Sequence, residues 1–119
     1  MLTMLDKSSN NVVDKILGSY KLGLCFSVVV NGYSMYPCLT PGDVVKVVSV
    51  NPYMVKTNDI IVYKKFESHL TVHRIIDKVM QNGELIGFLT KGDYNEHADD
   101  YHVPLSQLLG VVVKTSPNK

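Results

Sequence analysis

The sequence predicts a mainly β fold, an antiparallel sheet with one short helix near the N-terminus. Its apolar residues come in short runs rich in valine and isoleucine, such as 44–48 and 60–63, which are typical of buried strands. Glycine, proline, asparagine and aspartate separate these runs, as expected for turns between neighbouring strands. The one amphipathic helical pattern lies before residue 20.

Length and composition limit the number of domains and the partners. The chain has 119 residues, of which 45% are hydrophobic and 19% are charged, so we expect one compact domain over residues 1–119. The formal net charge is +1, and Lys64 and Lys65 form the only basic pair. This lack of clustered Lys and Arg argues against nucleic acid as a partner. Cys25 and Cys38 are too few for a disulfide framework, and we expect both to be buried free thiols in a reducing compartment.

Residues 1–20 are predicted to form an N-terminal tail followed by a short amphipathic helix. Residues 1–7 are expected to be frayed, whereas 8–11 supply serine and asparagine side chains that can cap a helix N-terminus. Four apolar side chains within 12–17 then share one face. This face could pack on the domain or dock on a membrane surface, and its short length and lack of basic residues favour packing.

The β core is predicted over residues 22–114. Strands are expected at residues 22–30, 43–50, 60–63, 70–76, 85–90 and 110–114. Asn82 and Gly83 are the clearest turn, because this pair suits a tight type I′ turn between two antiparallel strands. A second hairpin turn is expected at 67–69, and a helical turn between residues 103 and 109.

A bent loop between the first two predicted strands carries a candidate nucleophile. Residues 31–43 include Gly32, Pro37, Pro41 and Gly42, which together forbid regular structure. A serine within this loop, at position 34, can present its hydroxyl to a ligand. The thiol at position 38 in the same loop is the alternative nucleophile.

A serine nucleophile requires a base, and histidine is the side chain best suited to take up a proton near neutral pH. His73 is the candidate, although a histidine within a strand is by itself more often structural. A carboxylate that accepts a hydrogen bond from the other ring nitrogen would set the tautomer of the imidazole. Asp93, Asp99 and Asp100 in the polar loop after residue 90 are the candidates for this role.

The same polar loop permits a different chemistry. Its potential metal ligands are Asp93, His97, Asp99, Asp100 and His102. Their spacing matches no strong metal motif, so a solvated loop is the better interpretation, and we expect no metal and no other cofactor.

Three segments, in this order along the chain, resemble the sequence boxes of the signal peptidase I family. Residues 32–37 with 41–43 are similar to the nucleophile box. Residues 72–75 are similar to the box of the general base, and residues 89–95 with Asp99 are similar to the acidic box. The resemblance extends over residues 22–113. Histidine rather than lysine at position 73 is typical of the endoplasmic-reticulum, archaeal and spore-former branch of that family.

The resemblance implies a coiled antiparallel β-sheet of the signal peptidase/LexA-like type and a serine endopeptidase activity. It implies Ser34 as the nucleophile, His73 as the general base and Asp99 as the residue that orients the histidine. Asp93 would give structural support to the site. Asp100 would replace Asp99 if the loop were shifted by one residue.

The resemblance also implies how a peptide binds. An extended substrate would add a strand beside residues 31–34 and insert small side chains into shallow apolar pockets. The implied substrate contacts are Asn31, Gly32, Tyr33, Met35 and Tyr36. The methionine and the tyrosines could equally anchor the loop. Since Gly32 stands where lysine-type members often carry serine, the Ser34 backbone N–H is the one evident donor to an oxyanion.

No run approaches the ~18 to 20 apolar residues that cross a bilayer, and acidic residues interrupt any signal-peptide pattern near the N-terminus. We therefore expect a cytoplasmic, soluble monomer that acts on a peptide or preprotein, with peripheral association with a membrane or membrane protein left open. The missing anchor favours a rival hypothesis, a non-catalytic peptide-binding module on the same fold. A self-cleaving LexA-like protein is a further alternative, but no internal cleavage segment is evident.

Overall fold

The computed structural model describes residues 2–4, 25–66 and 69–116. Within these ranges the chain forms one antiparallel sheet of eight strands. The strands are β1 (Leu2–Met4), β2 (Cys25–Val30), β3 (Val44–Val48), β4 (Ile60–Phe66), β5 (His69–Gln81), β6 (Glu84–Lys91), β7 (His102–Pro104) and β8 (Leu108–Ser116). The only helical elements in the described ranges are two 3₁₀ turns, Pro52–Met54 and Leu105–Gln107. The predicted mainly β class is therefore confirmed. Within these ranges, no helix has the length and apolarity needed to cross a membrane.

The N-terminal prediction is corrected in part. Leu2–Met4, expected to be frayed, forms β1, because it pairs with β2 from Leu2↔Val30 onward and also meets β5 at Leu70. The predicted helix over residues 12–17 lies outside the described residues.

The six predicted strands correspond to β2, β3, β4, β5, β6 and β8, with shifted ends. The largest shift is in β5, which runs 13 residues to Gln81 because β6 pairs along its polar second half, as far as Gln81↔Glu84. The turn between them has φ of 53° at Asn82 and 80° at Gly83, as expected for a type I′ hairpin. The short strand β7 was not predicted, because three residues at the end of a polar loop carry no periodic pattern.

The sheet coils on itself. Its strand order is β1-β2-β3-β8-β4-β5-β6-β7, with an additional pairing between β1 and β5. Every pairing among the described strands is antiparallel. This coiling brings the loop that follows β2 close to β5 and to the loop that follows β6.

Both faces of the coiled sheet bury apolar side chains. On β4, Val62 belongs to one core, whereas Ile61 and Tyr63 belong to the other, because successive residues of a strand face opposite sides. The first core also includes Met35 and Leu39 from the loop after β2. That loop is therefore anchored in the interior, although it lies outside any strand.

Candidate active site

Ser34 lies in the loop between β2 and β3, within turns that two core side chains hold in place. The Tyr36 N–H donates to the Tyr33 carbonyl and the Leu39 N–H donates to the Met35 carbonyl, both at 2.9 Å. Met35 and Leu39 are 1% and 0% exposed. These contacts hold the backbone on both sides of the serine, while its own side chain stays partly exposed.

The end of this loop is closed by the Gly-Asp pair that precedes β3. The Asp43 carboxylate accepts hydrogen bonds from the Thr40 N–H at 2.9 Å and from the Thr40 hydroxyl at 3.1 Å. Gly42 has φ of 94°, which lies in the left-handed region that glycine adopts without a side-chain clash. Its N–H donates to the Val30 carbonyl at 2.8 Å, so the loop leaves and rejoins the sheet at one point.

His73, on β5, lies beside the serine. Ser34 Oγ and His73 Nε2 are 3.2 Å apart, within hydrogen-bonding distance. The histidine is buried, with 7% of its surface exposed, and its residue pairs with Ile61 of β4. The imidazole is therefore held on a rigid strand rather than on a loop.

Asp99 lies at the other ring nitrogen and shares one carboxylate oxygen between two donors. Its Oδ2 is 2.7 Å from His73 Nδ1 and accepts a hydrogen bond from Thr90 Oγ1 at 2.6 Å. Because a carboxylate can only accept, the proton of the neutral imidazole belongs on Nδ1. His73 Nε2 is then unprotonated and can accept the proton of the Ser34 hydroxyl.

Two tyrosines pack against the histidine and the aspartate. Tyr63 Oη lies 3.5 Å from His73 Nδ1 and 2.7 Å from Tyr101 Oη. Burial raises the pKa of Tyr63 far above its ordinary value, and the hydrogen bond to Tyr101 raises it further. Burial is also the main cause of the raised pKa of Tyr101. Both side chains are therefore neutral hydroxyls near pH 7 and add no negative charge beside the imidazole.

Asp93 does not contact the His73 imidazole. It forms an ion pair with Arg74, the next residue of β5. Arg74 Nε and Nη2 donate to its two carboxylate oxygens at 2.8 and 2.7 Å. These hydrogen bonds hold the pKa of Asp93 below its ordinary value. Arg74 Nη1 also donates to the Asn58 carbonyl at 2.9 Å. The pair ties the loop after β6 to β5, so Asp93 supports the site by an ion pair across two elements.

The loop after β6 passes so close to the serine that one of its residues has no room for a side chain. A Cβ at Gly92 would lie 2.7 Å from the Ser34 carbonyl oxygen and 3.1 Å from His73 Nε2. The Tyr94 N–H donates to the same Ser34 carbonyl at 2.9 Å. The two loops therefore position each other at the nucleophile.

The residues predicted to contact a peptide differ in exposure. Asn31 is exposed and Gly32 is half-buried. Tyr33 and Tyr36 are 65% and 43% exposed, and the second packs edge-to-face on Tyr94 with ring centroids 5.7 Å apart. These aromatic side chains line the surface next to the nucleophile.

Met35 is the exception among these predicted contacts, since it is buried. Its Sδ accepts a hydrogen bond from the Asp93 N–H at 3.4 Å, and the side chain is 1% exposed. Of the two roles that the sequence leaves open for Met35, substrate contact and loop anchoring, its place in the first core supports anchoring.

Both cysteines were predicted to be buried, and both are exposed. Cys25 begins β2 facing outward, and Cys38 lies on the outer side of the loop, where its Sγ accepts a hydrogen bond from Arg74 Nη2 at 3.6 Å. Ser34, and not the thiol at position 38, is the loop side chain that lies against His73.

The potential metal ligands of the polar loop do not converge. Asp93 and Asp99 contact Arg74 and His73 respectively, and His97 lies 3.9 Å from Glu96 at the surface. Among the described residues, no group of three or more His, Cys, Asp or Glu side chains could hold a metal ion.

Sequence reasoning missed four residues of this site. Thr90 and Gly92 lie within three residues of Asp93, a candidate acidic residue. This proximity was the available signal. Tyr63 lies in a strand whose composition is typical of any buried strand, and Tyr101 lies in the polar loop. Nothing local to these two tyrosines indicates a contact with the histidine.

Comparison of the chain with models of known protein families gives no match. Comparison with curated protein sequences gives no match either.

Proposed function

We propose that the protein is a serine endopeptidase of the signal peptidase I type, from the histidine branch, and that its coiled sheet is of the signal peptidase/LexA-like type. The observation that carries the proposal is the continuous contact from Ser34 Oγ to His73 Nε2 at 3.2 Å and from His73 Nδ1 to Asp99 Oδ2 at 2.7 Å. Nucleophile, base and orienting carboxylate in this order are the arrangement that activates a serine hydroxyl.

The chemistry follows from the protonation states. Ser34 Oγ attacks the carbonyl carbon of the scissile peptide bond while His73 Nε2 takes the hydroxyl proton. The tetrahedral intermediate then collapses, the C–N bond breaks, and the leaving amine receives that proton from Nε2. The remaining ester on Ser34 is hydrolysed when a water molecule gives a proton to Nε2 and attacks the acyl carbon, after which Ser34 recovers its proton and the acid product leaves.

Asp99 and the backbone of the nucleophile stabilise the charges that develop. The Asp99 carboxylate faces the imidazolium that His73 becomes after each proton transfer. The Ser34 backbone N–H, which belongs to the nucleophile itself, donates to the developing oxyanion. Both groups are held in position before the reaction, since each lies on a segment tied to the sheet.

A peptide is the substrate class that suits this surface. The segment 71–73 of β5 pairs on one side with β4. On its other side, β5 meets β1 at Leu70 and β6 from Arg74 onward, and no described residue pairs with the segment between them. An extended peptide or preprotein segment can add as a strand there, next to His73, with small side chains near the cleaved bond.

The test is covalent labelling by a fluorophosphonate, read by intact mass and peptide mapping. We expect one adduct on Ser34, none in Ser34→Ala, strongly slowed labelling in His73→Ala, and unchanged labelling in Cys38→Ser. Digestion of a peptide library by the wild-type protein should yield products that mass spectrometry identifies. If folded wild-type protein forms no adduct and cleaves no peptide, the proposal is wrong, and the rival hypothesis of a non-catalytic peptide-binding module is favoured.

A further inference from the structure

A cavity of about 450 Å³ opens beside the histidine and extends along β5 away from the serine. His73, Asp99 and Tyr101 form part of its lining. Four further polar side chains line it: Lys65, His69, Thr71 and Asn95. None of these four takes part in the proton transfers of the proposed reaction, so the chemistry described above gives them no role.

The position of the cavity relates it to a bound peptide. His69, Thr71 and His73 alternate along β5 and therefore share one face of the strand. In a peptide that adds beside residues 71–73, every second side chain projects to this same face. The cavity is therefore where side chains of a substrate on this face would be received.

The lining of the cavity is rich in hydrogen-bond donors. Lys65 Nζ lies 4.7 Å from the centroid of the Tyr101 ring, a contact that holds the ammonium at the cavity wall. His69 and the amide of Asn95 add further donors. Among the described residues of the lining, Asp99 is the one carboxylate, and it already accepts from His73 and from Thr90.

We propose that this cavity is a substrate subsite that binds an acidic side chain, Asp or Glu, of the cleaved peptide. This inference rests on the proposed peptidase function. A carboxylate accepts up to four hydrogen bonds and carries the charge opposite to that of Lys65. Lys65 is exposed whereas the Asp99 side chain is 11% exposed and already faces His73 and Thr90. A lysine or arginine side chain of a substrate would therefore meet the like charge of Lys65 first, so the subsite selects by charge.

The test uses peptides that differ in one residue, Asp, Asn or Lys, scanned through the positions on both sides of the cleaved bond. We expect kcat/KM to be higher for Asp than for Asn by up to about fivefold, the upper end of the range for one exposed charge pair. The preference should occur at one position, or at two positions separated by one residue. In Lys65→Glu, Lys should become preferred over Asp at the same position.

Lys78→Glu is the matched control, because it makes the same change of net charge on an exposed lysine in the far half of β5. It should keep the wild-type preference for Asp. If Lys65→Glu and Lys78→Glu show the same preference as the wild type, the subsite inference is wrong and the peptidase proposal stands.

Peptide binding to the Ser34→Ala variant tests the subsite independently of peptidase activity. Fluorescence anisotropy of the same labelled peptides measures the charge preference without turnover. A preference for Asp that is lost in Ser34→Ala/Lys65→Glu, together with no labelling of wild-type Ser34, would overturn the peptidase but support the subsite. No charge preference in either assay overturns the subsite.

Discussion

Replacing Thr90 with valine should slow turnover by removing one hydrogen bond to Asp99. The side chain is 0% exposed, and its Oγ1 donates to Asp99 Oδ2 at 2.6 Å. Valine keeps nearly the same shape, so the substitution removes the hydroxyl and leaves the packing in place. Asp99 is then held by the contact of its carboxylate with His73 and by the hydrogen bond that its backbone N–H donates to the carbonyl of residue 90, at 2.9 Å.

The magnitude follows from the charge of the acceptor. A hydrogen bond to a charged group contributes about 1.5–3 kcal/mol. If this contribution is lost where Asp99 faces the imidazolium, kcat falls by about 10- to 150-fold, at about 1.36 kcal/mol for each factor of ten. KM should not change, because the fully buried Thr90 side chain presents no surface to a substrate.

The assay is steady-state cleavage of a peptide identified from the library, with the free energy of unfolding measured in urea for each variant. Thr90→Ser is the matched control, since it restores the hydroxyl, and it should recover most of kcat. Wild-type kcat in a folded Thr90→Val protein would refute the reasoning. A serine variant as slow as the valine variant would show that the methyl group, and not the hydroxyl, matters at this position.

Three further predictions concern the two loops around the nucleophile. Asp99→Asn should lower kcat by roughly 10⁴-fold through a wrong histidine tautomer, whereas Asp100→Asn should keep the rate; the reverse result would move the orienting role to Asp100. Asp93→Asn should destabilise the fold by about 1–3 kcal/mol at pH 7, because Arg74 loses its charged partner. Since the pKa of Asp93 is lowered on folding, its stabilisation is present above the ordinary aspartate pKa of about 3.9 and is lost as pH falls through the lowered value. Urea unfolding of the wild type and of Asp93→Asn from pH 7 to strongly acidic pH should therefore show the difference in their free energies of unfolding shrinking. A constant difference would contradict the ion-pair explanation. Gly92→Ala should abolish fluorophosphonate labelling while the far-ultraviolet circular dichroism stays native, because its Cβ would lie 2.7 Å from the serine carbonyl oxygen; full labelling would show that the loops can separate without loss of function.

The amino-acid sequence by itself determined the β class, the approximate strands and the tight hairpin turn. These features depend on neighbouring residues: β-branched runs favour extended backbone, and Asn82 and Gly83 can adopt positive φ wherever they occur. The serine in its bent loop, the histidine in a strand and the acidic loop were also visible as candidates, because each is a local combination of residue types. Local pattern did not decide between Asp99 and Asp100 as the partner of the histidine.

Tertiary structure decided which of these groups meet. The contact of His73 with Asp99 depends on the loop that returns to the Thr90 carbonyl and on the pairing of β5 with β6. The burial of Met35 depends on a core built from distant strands. A hydrogen bond extends only about 3 Å, so its partner is set by strand registers and loop paths far apart in sequence. For this reason the residue types of the site could be predicted from the chain, whereas Thr90 and the tyrosine pair that support it became visible only in the folded sheet.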